Sequence, residues 1–64
     1  MWDSLIDRRV EIVGRELAAP IACTVVGVKQ SNDGELNLVV ARVGKNKIFI
    51  NGYAIDMIIV EGEN

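Results

Sequence analysis

The stretch from Ile48 to Val60 constrains this chain most, because two consecutive extended runs within it are apolar on both faces. Ile48-Phe49-Ile50 and Met57-Ile58-Ile59-Val60 are β-branched or aromatic enough to predict strands, and Asn51-Gly52 between them predicts a tight corner. Successive side chains of a strand point to opposite faces. Ile48 and Ile50 therefore oppose Phe49, while Met57 and Ile59 oppose Ile58 and Val60. The outer strand of a small antiparallel domain ordinarily gives one face to water. Neither run does, so a fold for this chain must supply something that covers the second face.

Length and composition narrow what that cover is. The 64 residues predict a single domain spanning 1–64, and a chain this short buries only about 60% of the surface its unfolded form exposes. Small domains are commonly reinforced by disulfides, a metal or partner subunits. The single cysteine, Cys23, excludes an internal disulfide, and the lack of histidine argues against a structural zinc site. Half the residues are hydrophobic, which leaves subunit association as the simplest reinforcement. No run approaches the roughly 18 apolar residues of a membrane span, and Met1-Trp2-Asp3-Ser4 lacks a basic leader. With one thiol, these features predict a cytoplasmic protein without a membrane anchor. The net charge of −2 argues against a broad surface for duplex nucleic acid, though a local site for a few unpaired nucleotides stays open.

In chain order, Asp3 to Asp7 predicts a short helix, with Asp3 or Ser4 as N-cap and Trp2 as a staple. It is too short to stand alone and must pack on a sheet. Arg9 to Val13 alternates, with Val10 and Ile12 facing one way, and predicts the first strand. Gly14-Arg15-Glu16 is a turn candidate. Pro20 to Val28 predicts the second strand, with Gly27 marking a bulge or bend. Ser31-Asn32-Asp33-Gly34 is the strongest turn signal, and Glu35 to Val43 predicts the third strand. Gly44-Lys45-Asn46 turns the chain into strands 46–51 and 55–60. Closely spaced strands joined by hairpin turns indicate a mainly all-β fold, a small antiparallel barrel.

Three segments resemble the motifs of the Sm-like family of small barrels, which includes LSm and Hfq-type proteins. Cys23-Thr24-Val25-Val26-Gly27-Val28 matches the strand and glycine of its first motif. Asp33-Gly34-Glu35-Leu36-Asn37-Leu38 matches the Asp-to-Asn spacing that follows. Ile50-Asn51-Gly52-Tyr53-Ala54-Ile55 matches the second motif. The resemblance covers nearly the whole chain and implies a short N-terminal helix followed by a strongly bent, five-stranded antiparallel Sm-like (SH3-like) barrel. It further implies a ring in which strand 46–51 of one subunit pairs with strand 55–60 of the next. The chain departs from the family at Lys29 to Asn32, which lengthen the bend, and in its shortened helix. Glu35 stands where an aromatic residue or histidine stacks on a base, and Asn51 where the motif carries arginine.

By this resemblance Asp33, Glu35, Asn37, Asn51, Gly52 and Tyr53 line a pore-facing pocket for single-stranded RNA, U-rich or A-rich. Asn37 offers a base edge both a donor and an acceptor; equally, it could bond the returning backbone while Asp33 caps its own turn. Asn51 offers hydrogen bonds but not the flat cation that arginine lays over a base. Tyr53 either faces the pore or packs its ring and wets its hydroxyl. Arg42, Lys45 and Lys47 either guide a phosphate backbone or are simply solvated, and Arg8-Arg9 is a second candidate for that role. Cys23, in an apolar strand, reads as a buried small hydrophobe. No nucleophile motif, phosphate loop or zinc-ligand spacing is present, so no enzyme and no cofactor are expected. Two functions remain: a ring that binds single-stranded RNA weakly, or a protein-interaction ring that has lost the nucleotide site.

Overall fold

Alternation along Arg9–Gly14 is the seed of the core. Val10 and Ile12 are fully buried while Arg9 is exposed, as a strand with one face on the interior requires. The computed structural model describes residues 2–30 and 37–62, with the side chains of Trp2, Asp3, Gln30 and Asn37 outside that description. Its strands are β1 (Arg9–Gly14), β2 (Ile21–Gln30), β3 (Asn37–Val43), β4 (Asn46–Asn51) and β5 (Ile55–Val60). They form one antiparallel sheet in the order β4-β3-β2-β1-β5. The Asp33-Gly34 turn and the expected strand start at Glu35 lie outside the described residues.

The sheet is not closed, which narrows the expected barrel to a five-stranded open sheet. Although one short corner joins β4 to β5, they take opposite edges, because β5 finds its ladder on β1 and β4 finds its own on β3. Val10, Ile12, Cys23, Val25, Val39 and Ala41 form the buried cluster, with Leu17, Ile48, Ile50, Ile58 and Val60 packed against it. Each fully buried aliphatic side chain contributes about 1.5–3 kcal/mol. Gly27 behaves as expected, since the β2–β3 register shifts between Val25 and Gly27 and leaves Val26 as the bulged residue.

The expected N-terminal helix is instead one 3-10 turn, Trp2–Leu5, and Asp3 and Ser4 lie inside it rather than capping it. Asp7 adopts φ 70°, a left-handed conformation that a short polar side chain tolerates and that ends the turn. The Arg8 N–H closes back on the Leu5 carbonyl at 2.9 Å, and the Asp7 N–H donates to the Val25 carbonyl at 2.7 Å. The segment is thus committed to β2 before a second helical turn can form.

Gly14 ends β1 at a close approach. A Cβ there would stand 2.5 Å from the Ala54 carbonyl oxygen, so either the β1 end or the β4–β5 corner would have to move. Gly14→Ala is expected to cost about 1–3 kcal/mol, read as a lowered denaturation midpoint with an unchanged m-value.

Cys23 is 1% exposed, and burial pushes its thiol pKa up, partly offset by the nearby Arg9 charge. The folded thiol ionises above the unfolded one, so its contribution is full below the ordinary thiol pKa of about 8.5 and is lost as pH rises through the folded value. A thiol reagent should react with Cys23 only on unfolding. The alkaline loss of stability should shrink in Cys23→Ala, and an equal loss in that variant would assign it to another group.

Candidate nucleic-acid interface

The β3–β4 hairpin brings part of the expected pocket together. Leu38 pairs with Asn51, so Asn37, the first residue of β3, sits at the same end of the hairpin as the corner that follows β4. That corner is a 3-10 turn, Gly52–Ala54, capped by Asn51 with extended backbone angles, φ −66° and ψ 120°. The Asn51 Oδ1 accepts a hydrogen bond from the Tyr53 N–H at 3.0 Å, an N-cap contact that satisfies an otherwise orphaned donor. The amide nitrogen of Asn51 is then the part of this side chain best placed to donate outward. Tyr53 does not pack its ring into the interior, being 58% exposed. Gly52 opens the turn, and among the described residues the glycines that take a left-handed φ are Gly44 and Gly62 instead. The structure therefore gathers Asn37, Asn51, Gly52 and Tyr53, while Asp33 and Glu35 lie outside the described residues.

The cationic candidates are elsewhere. Arg42 lies directly opposite Lys47 across β3 and β4, beside the Gly44-Lys45 turn, and all three cations are exposed. The separation from Leu38 to Arg42 along β3 is roughly 13 Å at the usual strand rise. One nucleotide cannot touch both ends of the hairpin, so these cations serve a longer strand or a separate purpose. Arg9 lies 3.4 Å from Glu61 in an exposed pair, which makes it a poor phosphate ligand.

Sequence reasoning missed two features. The Arg15 guanidinium donates to Asp56 Oδ1 at 3.0 Å, tying the turn after β1 to the start of β5. A groove of about 390 Å³ opens beside β4, lined by Leu17, Ile21, Ile48, Phe49, Ile50 and Ala54, with Glu16 and Asn51 at its polar margin. The isoleucines of β4 hinted at it, but Leu17 reaches it only through the path of the β1–β2 connection. Among the described residues no cluster of acids or cysteine could hold a metal ion, and no helix is long and apolar enough to cross a membrane. No family model, curated protein or solved structure matches the chain.

Proposed function

We propose that this chain is the subunit of an Sm-like ring, joined head to tail through β4 and β5, that holds single-stranded RNA weakly at the Asn37–Asn51–Tyr53 corner. The observation that carries the reading is the pair of open apolar edges. β4 and β5 end the sheet on its two sides, and Phe49 at 57%, Met57 at 54% and Ile59 at 44% exposure lie on them. A subunit with two different sticky edges forms heterologous contacts, which make a ring when the rotation closes. The buried thiol suits a reducing cytoplasm.

The corner supports a modest RNA site. A stacked base contributes about 1–3 kcal/mol, and the exposed Tyr53 ring is the only stacking surface among the described corner residues. Native mass spectrometry with short oligo-U and oligo-A is expected to show rings that carry RNA at low salt. Asn37→Ala and Tyr53→Ala should leave the ring mass unchanged, and Tyr53→Ala should lower affinity about 5- to 150-fold. Rings indifferent to both oligonucleotides would contradict the RNA site. They would favour the second reading, a protein-interaction ring, for which the engagement of Asn51 Oδ1 as a cap is the supporting observation.

A further inference from the structure

Strand register lays a row of charge across the outer face of the sheet. Lys47 on β4 lies opposite Arg42 on β3, Arg42 opposite Thr24 on β2, and Thr24 opposite Arg9 on β1. Residues directly opposite in a ladder put their side chains on one face. The chain neighbours Val10, Cys23, Val25 and Ala41 are buried, so the row points to solvent, with its three cations exposed and Thr24 half-buried. At the Arg9 end, Glu61 already lies 3.4 Å from the guanidinium. The other end differs: among the described residues no acid pairs with Arg42, Lys45 or Lys47.

That end strains the free hairpin. Val43 and Asn46 flank the two-residue turn Gly44-Lys45. Gly44 has φ 60°, as the first position of a type II′ turn requires, so Val43 and Asn46 form the closing hydrogen-bonded pair. Bonded and non-bonded pairs alternate along an antiparallel ladder, which makes Arg42–Lys47 a non-bonded pair with Cα atoms about 4.5 Å apart. Like charges directly opposite destabilise a sheet, and Lys45 in the turn adds a third positive charge. An acid at either position would turn this repulsion into attraction, yet the chain places two cations there.

We propose that Arg42, Lys47 and Thr24 form a site for a phosphate dianion, free or as the monoester end of a larger ligand. Charge selects that class. A phosphate monoester carries a charge of about −1.5 to −2 at neutral pH and neutralises both cations at once. A carboxylate or a phosphodiester carries a single charge and relieves only part of the repulsion. The donors suit a tetrahedral anion. Arg42 presents a planar fork from the middle strand, Lys47 a compact charge on a flexible stem from one side, and Thr24 a hydroxyl from the other. With neighbouring strands about 4.8 Å apart, all three flank one anion. The site lies at the opposite end of the β3–β4 hairpin from the Asn51 corner, and it requires neither assembly nor RNA.

The test is a titration of the wild-type chain with methyl phosphate, dimethyl phosphate, acetate and sulfate at constant ionic strength, read by amide chemical shifts. Methyl phosphate near neutral pH should shift Thr24, Arg42 and Lys47 and leave Arg15 and Asp56 in place. Acidification to about pH 5 protonates the monoester and should weaken its binding about tenfold, whereas sulfate stays a dianion and should bind equally at both. The chain has no histidine. Arg9 and Glu11 on β1, Glu61 after β5 and Lys45 in the turn flank the row, and titration among them would move both anions alike. Lys47→Gln removes the repulsion and should raise the urea midpoint in phosphate-free buffer. It should also lose most of the added stability that methyl phosphate gives the wild type by mass action. Thr24→Val, which keeps the side chain's shape, should weaken binding about 2- to 10-fold. Inorganic phosphate and ribose 5-phosphate separate the sources: equal affinity shows that the dianion alone is read, and tighter sugar phosphate assigns a monoester ligand. Dimethyl phosphate or acetate bound as tightly as methyl phosphate, or a methyl phosphate response undiminished in Lys47→Gln, overturns the site.

Discussion

Aspartate in place of Ile59 is expected to abolish the assembly while leaving each subunit folded. Ile59 is 44% exposed in the single chain, so a carboxylate there stays hydrated and costs the fold little. In the proposed head-to-tail assembly the same position lies on the β5 edge that a second copy covers. A charge buried without a partner is then strongly unfavourable. A penalty of about 3 kcal/mol already weakens association on the order of a hundredfold. Sedimentation at micromolar concentration should show single chains with an unchanged circular dichroism spectrum. Ile6→Asp serves as the control, because Ile6 is also exposed but adjoins the segment held by the central strand β2. If both variants dissociate alike, the association is general hydrophobic adhesion rather than edge pairing.

The second large effect is on the fold. Ile12 is fully buried at the centre of β1, paired to Ile21 on one side and Ile58 on the other. Ile12→Ala should cost about 2–5 kcal/mol, since neighbours relax only partly into the space left. Domains hold roughly 0.05–0.15 kcal/mol per residue, so 64 residues leave little to spare. The variant should be largely unfolded at dilute concentration and, in the proposed assembly, partly rescued at high concentration, because association of folded subunits stabilises them by mass action. A urea midpoint within error of wild type would contradict the placement of Ile12 at the core.

Much of this architecture was legible in local residue patterns. The alternation of Val10 and Ile12, the Gly27 bulge, the burial of Cys23 and the extents of β4 and β5 all follow from neighbours a few residues apart. What escaped depended on long-range partners. The N-terminal segment reads as helical on local propensity, but the Asp7 bond to Val25 stops it after one turn. Arg15 and Asp56 lie far apart in sequence, and only the β1–β5 ladder brings them to 3.0 Å. At the corner, Asn51 was legible as a turn residue, but its capping of Tyr53 depends on the 3-10 geometry of Gly52–Ala54. The open groove beside β4 had no local signature beyond the doubly apolar runs. The proposed head-to-tail junction would account for those runs, since Phe49, Met57 and Ile59 are exposed on the two edge strands of the single chain.

The most direct test of edge-to-edge assembly is the mass of the wild-type protein in sedimentation equilibrium at micromolar concentration. The account predicts one closed species at a fixed multiple of the 7.0 kDa chain, stable to dilution and free of RNA. A single species at 7.0 kDa would contradict it.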